Sequence, residues 1–445
     1  MKKMSAIDKE LTAKFAAAFK ENNKQNALQR GVVKNGISAS AENMSAHVNN
    51  VPIFSVDLAT GKVANQMQSG RCWMFAALNT FRHKMLNTFH LKDFELSQNY
   101  TFFWDKYEKA NYFYENILAT ASEELTSRKV AFLLQTPQQD GGQWDMIVSI
   151  FEKYGVVPKT AMPESSNSSN SRDLNNYLNK KLRKDAVTLR NLVAAGKEAA
   201  AIQSAKEKML EEVYNFLAIS LGNPPETFDF EYRDEEKNYH LDQNLTPQSF
   251  YEKYVGLNLN DYVSIINAPT ADKPYNQSYT VEMLGNVVDG KEVKYLNVDM
   301  MTFKKLAVAQ LEQGESVWFG CDVGQSSTRD SGIMAMDAYD MNDLFDIDFT
   351  MTKAERLDFG ESLMTHAMVL TGVDVVDGQS TKWKVENSWG EKVGTKGFFV
   401  MSDEWMDEYT YQIVVRKDLL TAEQLAAYEK APMVLAPWDP MGALA

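Results

Sequence analysis

The sequence predicts an α+β protein, with a helical first half followed by a mainly antiparallel sheet. Three observations carry that expectation. Apolar residues recur at helical spacing after residue 72. The run from 172 to 221 is rich in Ala, Leu, Lys and Glu at a helical period. Near residue 280 the texture changes to short strand-like segments. At 445 residues the chain exceeds the size at which one hydrophobic core stops growing, so an elaborated domain or two to three subdomains are expected.

Residues 1–60 are expected to form an N-terminal helical arm, beginning with MKKMSAIDKELTAKFAAAFKENN, an amphipathic helix with Ser5 as its candidate cap. Residues 61–165 form a helical subdomain. In it CWMFAALNTFRHKMLNTFHL places Met74, Leu78, Phe81, Met85 and Phe89 at helical spacing, so Cys72 sits at the first turn of a mostly buried helix. Residues 97–135 continue in aromatic-rich helical fashion until PQQDGGQWDM interrupts them with the pair Gly141-Gly142. Residues 166–262 read as a helical insertion: SSNSSNS (165–171) is a polar linker, 172–221 is helical, and the acidic FDFEYRDEEKNYH is a solvated face. Residues 263–418 form the β subdomain. VVDGKEVKYLNV carries an Asp289-Gly290 hairpin signal, and VWFGCDV, HAMVLTGVDVV, KWKVENSW, GFFVMS and YQIVVR read as strands. Residues 419–445 hold a short helix at about 421–430, ending before Pro432, and an extended, proline-punctuated apolar tail, APMVLAPWDPMGALA.

Composition narrows the function classes. The net charge of −14 repels phosphate backbones and anionic membrane surfaces, which disfavours a general nucleic-acid role. No stretch reaches the ~18 consecutive apolar residues of a membrane span, and the N-terminus lacks an uninterrupted apolar signal segment. Two cysteines in so long a chain are not a disulfide framework, and the expected setting is a reducing cytosol. No Cys/His cluster has metal-ligand spacing, so neither a metal nor an organic cofactor is expected.

Cys72 lies in NQMQSGRCWMFAALN (65–79), between a polar turn and an apolar helix. Position alone leaves two readings open, an inert core thiol or a nucleophile. Unpaired N–H groups and the dipole at a first turn favour thiolate, but at an ordinary pKa only about 3% of a thiol ionises at neutral pH. A nucleophile therefore needs a histidine. Of the five, His83 and His90 share the helix of Cys72, and His47 and His240 lie in polar contexts. His366 opens the strand HAMVLTG, and Asn387 ends KWKVENSWG on the strand face of Trp383 and Val385. Cys321, inside VWFGCDV, reads as a small buried hydrophobe.

Several pieces match one pattern in one order. Gln66 precedes Cys72 by six residues; Ser69-Gly70-Arg71-Cys72-Trp73 resembles the nucleophile turn of papain-like cysteine peptidases. His366-Ala367 with Gly372 resembles their histidine strand, and Asn387-Ser388-Trp389-Gly390 with Gly394, Gly397 and Phe398 their asparagine segment. Within that group SGRCW, DGGQWDM, the helical insertion and the tail resemble the bleomycin hydrolase and aminopeptidase C family along the whole chain. Two departures stand out. Ser69 and Gln139 occupy the places of a disulfide common in secreted members, and Thr365 stands where papain has an acid.

The resemblance implies a papain-like fold with a large helical insertion and a cysteine aminopeptidase acting on peptides. It implies Cys72 as nucleophile, His366 as acid and base, and Asn387 as the group that orients the ring. It further implies Gln66 as an oxyanion donor, Gly141 and Gly142 as backbone that substrate approaches, Trp389 as a shield of the His-Asn pair, and Ala445 as a tail end reaching the substrate. For Gly141-Gly142 a simple turn, and for Trp389 a plain core ring, remain alternatives. A homo-hexamer with inward-facing sites is implied as well. Two rivals stay open: an oligopeptidase or endopeptidase whose tail stays out of the cleft, and a scaffold that keeps the fold without activity.

Overall fold

The computed structural model describes residues 6–91 and 94–445. The arm begins with helices Lys9–Glu21, Asn23–Asn35, Ile37–Ala41 and Met44–Asn49, of which the first two bury no residue. Ser5, the expected cap, lies outside the described residues. Asp8 caps the first helix instead, its Oδ1 accepting from the Leu11 N–H at 2.8 Å. The arm ends in the sheet, where Val56–Asp57 pairs antiparallel with Val373 and Gly372.

The helix Cys72–Phe89 is the centre of the molecule. It is apolar nearly all round, and all but one of its first twelve residues are buried. Such a helix needs cover on every side. Helices Gln98–Ala119 and Trp144–Tyr154 cover one side and the strands Val317–Cys321 and His366–Val376 the other. The helix ends at His90, a C-cap in the left-handed region (φ 50).

The sheet is mainly antiparallel. Its order is Met433–Leu435, Gln277–Val281, Tyr295–Asn297, Tyr262–Ile266, Thr410–Arg416, Val317–Cys321, His366–Val376, Gln379–Glu386, Phe398–Ser402, Ile333–Met334 and Ser327–Thr328. Register places His366 opposite Cys321 and Val369 opposite Glu386. A second core on the far face holds Phe303, Trp383, Trp405 and Ile413 beneath helix Met300–Glu312. Among the described residues no helix is long and apolar enough to cross a membrane.

Three expectations need correction. The charged residues of FDFEYRDEEKNYH do face solvent, but the segment is part of a hairpin, Phe228–Arg233 paired with Tyr239–Leu245, so the insertion is not purely helical. Phe228, Phe230 and Tyr232 alternate with Asp229, Glu231 and Arg233, and Phe230 packs on Phe94, Phe250 and Tyr254. The acidic content had masked that period of two. SSNSSNS is no free linker either. Ser165 and Ser168 form a reciprocal capping box around the short helix Ser166–Ser169, and Ser168 and Ser171 are buried. Asp289-Gly290 does make a turn, with Asp289 at φ 60 and Gly290 N–H on the Val287 carbonyl at 3.1 Å, but its flanks do not pair. The strands that pair across it are Gln277–Val281 and Tyr295–Asn297.

Helical layer and sheet are pinned by a buried charge cluster. Glu386, at the end of its strand, accepts from Arg82 Nη2 at 2.6 Å and lies 2.8 Å from His83 Nε2, while His83 Nδ1 is 3.0 Å from Ser316 Oγ. All three charged or ionisable side chains are almost wholly buried. Removing one member of such a cluster strands the others without water. Glu386→Ala is therefore expected to cost about 3–5 kcal/mol, read as a clear drop in the urea unfolding midpoint. Glu386→Gln, which keeps shape and acceptor, loses less, and an unchanged midpoint in the alanine variant would remove the cluster from the account.

Candidate active site

Cys72 is the first residue of its helix, and its N-cap, Arg71, makes no side-chain capping bond. The first N–H groups of the helix are thus not consumed by a cap. The loop before it is pinned on every side. Gln66 Nε2 donates to the Ser69 carbonyl at 2.6 Å and Ser69 Oγ to the Gln66 carbonyl at 2.7 Å. Gly70 N–H donates to Asp140 Oδ2 at 3.0 Å. The fully buried Arg71 forks onto Glu164 at 3.0 and 2.8 Å and lies 5.1 Å from the rings of Phe75 and Phe102.

Asp140 gathers the supports. It pairs with Lys106 at 2.7 Å and accepts from Ser171 Oγ at 2.5 Å and Asn175 Nδ2 at 2.8 Å. Burial alone would raise its carboxyl, but Lys106 and these donors hold it well below the usual range; burial in turn pulls Lys106 down to about 8. The sequence motifs did not single out Asp140, Glu164 or Lys106. They stand 34 to 92 residues from Cys72 in sequence, and no local spacing connects them.

His366 opens its strand, and His366 Nε2 lies 2.9 Å from Asn387 Oδ1. The Ser388 N–H donates to that same oxygen at 2.7 Å, which fixes the amide with oxygen toward the ring. Nε2 must then carry the proton, so Nδ1 is the free acceptor of the neutral ring. Ser388 Oγ donates to Gln66 Oε1 at 2.5 Å, which fixes the Gln66 amide with one Nε2–H on the Ser69 carbonyl. Ser388 thus orients both amides, a role its place in the motif did not reveal. The Trp389 ring lies 5.0 Å from the imidazole at 33°. Thr365 Oγ1 donates to the buried Asp322 at 2.9 Å, so an acid is present near this position, supplied from the neighbouring strand segment.

The thiol meets the start of the His366 strand. Cys72 is 2% exposed and His366 5%, and burial works against either ionising alone: it pushes the thiol up to about 11 and the imidazole down to about 4. Backbone N–H groups of Ala367, Trp73 and Cys72 itself oppose the rise of the thiol, and Asp140 adds to it. For the imidazole, the Asn387 bond opposes the fall and Arg329 adds to it. A lone charge on either group would therefore be poorly solvated. Cys321 is fully buried, its thiol pushed well above the ordinary value by burial. Among the described residues no group of three or more His, Cys, Asp or Glu side chains is arranged to hold a metal ion.

The tail docks against the glycine pair. Met433–Leu435 lies parallel to Gln277–Val281, and Pro440–Gly442 forms a tight turn. From there Gln143 Nε2 donates to the Ala443 carbonyl at 2.6 Å and Gly142 N–H to one Ala445 carboxylate oxygen at 3.2 Å, leaving Ala445 4% exposed. The two glycines serve different neighbours. A Cβ on Gly141 would stand 2.6 Å from the Ala445 oxygen and 2.9 Å from Leu444 Cβ. On Gly142 it would strike the Trp73 indole at 2.6 Å, a ring held by its Nε1–H on the Asp140 carbonyl at 2.7 Å.

The model of the Peptidase C1-like family matches residues 6–442. The chain belongs to that family. It is 62% identical over 443 residues to aminopeptidase C of Streptococcus thermophilus, covering 99% of this chain and 100% of that protein. Aminopeptidase C of Lactococcus lactis subsp. lactis (strain IL1403) is likewise 62% identical over 440 residues, with 99% and 100% covered. The crystal structure of PepW from Lactobacillus rhamnosis HN001 matches with a TM-score of 0.98 at 64% identity, covering 99% of this chain and 100% of that one. Within the family, the chain falls in the bleomycin hydrolase and aminopeptidase C group, on the papain-like α+β fold that its motifs imply.

The contacts of Gly141 make a direct prediction about the tail. Gly141→Ala should push Leu444 and Ala445 off their seat, so that carboxypeptidase trims the variant's C-terminus much faster than the parent's while the unfolding midpoint moves little. Equal trimming would mean that the tail is not held there.

Proposed function

We propose that this cysteine aminopeptidase removes N-terminal residues by acyl transfer to Cys72. Cys72 passes its proton to His366 Nδ1, and the thiolate forms a C–S bond with the scissile carbonyl carbon. The imidazolium then gives that proton to the leaving amine as the C–N bond breaks. Water, giving its proton to His366, attacks the thioester, and the proton returns to sulfur as the acid leaves. Asn387 holds the ring with Nδ1 toward the thiol, and Trp389 shields the pair. The uncommitted N–H of Gln66 and the Cys72 backbone N–H serve the oxyanion.

The seat of Ala445 carries the aminopeptidase reading. One oxygen of its carboxylate already occupies the Gly142 N–H, a backbone donor that an extended acyl chain would use, next to Trp73 and the nucleophile. In this reading a single substrate residue lies between the tail and Cys72, and its α-ammonium meets the Ala445 carboxylate. Such a pair at ~4 Å is worth ~1 kcal/mol in water and ~4 kcal/mol at an effective dielectric of 20. Only the enclosed case gives selectivity of several hundredfold, and the burial of Ala445 favours it.

Assembly and location follow the same reading. Leu11, Phe15 and Phe19 recur every four residues on the first helix and are all exposed, an apolar stripe suited to a second copy of this chain. Six copies is the number the family resemblance implies. Both cysteines are free thiols, which suits the cytosol.

The test compares peptides with free and acetylated N-termini on the full chain and on a variant lacking residues 442–445. The full chain is expected to cleave only the free-amino substrates. The truncated enzyme should lose much of that activity and gain on acetylated and longer peptides. Indifference of the full chain to acetylation would make it an oligopeptidase, and inactivity on every peptide would leave a scaffold.

A further inference from the structure

Arg329 is a cation that borders this site. It begins the turn between the short strands Ser327–Thr328 and Ile333–Met334 and is exposed. Among the described residues no carboxylate lies within ion-pair distance of it, in a chain that carries 60 acidic residues against 46 basic ones. Its guanidinium instead lies 4.5 Å from the centre of the Trp389 ring, which lies 5.0 Å from the His366 ring. Its charge is felt at His366, where, after burial, it opposes the imidazolium.

The turn that carries Arg329 is held firmly. Gly332 N–H donates to the Thr328 carbonyl at 2.8 Å and Gly394 N–H to the Asp330 carbonyl at 3.0 Å. Gly332 takes φ 72, and a Cβ there would strike Gly394 Cα at 2.6 Å, so the turn is docked against the loop that follows Trp389. The guanidinium is thus placed by stacking and by backbone contacts, with its N–H fork uncommitted to any carboxylate.

The two sides of the site differ. The tail lies on the acyl side, with Ala445 on Gly142. His366 hands its proton to the leaving amine, so Trp389 and Arg329, stacked outward from His366, border the leaving-group side. Reach is favourable. The two ring contacts put the guanidinium within about 10 Å of the imidazole, and a peptide advances ~3.3–3.6 Å per residue, so a carboxylate one or two residues past the scissile nitrogen comes within a hydrogen bond of it.

We propose that Arg329 is a specificity-determining residue that binds the free C-terminal carboxylate of a di- or tripeptide substrate. The enzyme would then read both ends of a short peptide, with the Ala445 carboxylate on its ammonium and the Arg329 guanidinium on its carboxylate. The proposal rests on the Cys72-His366 reading above. Charge-assisted guanidinium–carboxylate bonds at an exposed site support a preference of about fivefold to tenfold.

The test measures kcat/KM for Leu-Ala and for its C-terminal amide, on the full chain and on Arg329→Gln, at low and high salt. The parent should prefer the acid over the amide about fivefold to tenfold, and salt should erode that preference. Arg329→Gln should bring the ratio near one, mainly through KM of the acid, and Arg329→Lys should restore part of it. An acid-to-amide ratio that Arg329→Gln leaves unchanged overturns the proposal, as does an equal fall on both substrates, which would mean that Arg329 only supports Trp389. Leucyl-7-amido-4-methylcoumarin, which has no carboxylate, separates the failures. A parent that turns over neither this substrate nor the peptides overturns the Cys72-His366 reading along with the proposal, whereas turnover of it with an unmoved ratio overturns Arg329 alone.

Discussion

Glu386 is a carboxylate without water, and the two layers of the molecule meet on it. Arg82 and His83 come from the helix that begins with Cys72, and Glu386 sits one residue before Asn387. A buried charge accepts few geometries, because any displacement leaves it neither solvated nor paired. The cluster therefore fixes how far along the sheet the Cys72 helix lies. The indole N–H of Trp318 on the Trp73 carbonyl at 3.0 Å sets the same register at the other end. With helix and strand locked, a thiol from one layer and an imidazole-amide pair from the other meet at the seam without any loop having to close over them.

Placing the pair in a dry seam has an electrostatic consequence. Neither group ionises readily alone, since burial raises the thiol and lowers the imidazole. In the proposed mechanism transfer of one proton is different, because the two new charges would offset each other at low dielectric, and backbone N–H groups of Ala367 and of the helix start already bond the sulfur. The fixed charges close by are themselves neutralised: Asp140 by Lys106, Glu164 by Arg71, Glu386 by Arg82. Among the described residues Arg329 and the buried Asp322 have no such partner: Asp322 accepts from Ser362, Thr365 and Gln325, and Arg329 lies over the Trp389 ring.

Much of this was legible in the sequence because it is carried by short-range pattern. The period of the helix after Cys72, the strands from Val317 to Arg416, and the position of His366 at a strand start all follow from local periodicity. The hairpin Phe228–Arg233 with Tyr239–Leu245 was missed because charged residues on its outer face obscured the alternation of Phe228, Phe230 and Tyr232. The supports of the site were illegible for a different reason. Asp140, Glu164, Lys106 and Asp322 reach it through tertiary contact alone, and a buried ion pair leaves no spacing in a single sequence. Even the glycine pair was read only halfway, since what Gly142 makes room for is a tryptophan ring sixty-nine residues before it.

The central claim is that Cys72 and His366 ionise together although burial forbids each alone. The measurement that tests it most directly is the pH dependence of Cys72 alkylation by iodoacetamide in the parent and in His366→Ala. The account predicts a parent rate that holds a plateau from mildly acid pH through neutrality, and a variant whose rate rises only in alkaline solution, toward the value of about 11 that burial imposes on the lone thiol. Parent and variant profiles that rise together above pH 9 would show that no ion pair forms and would contradict the account.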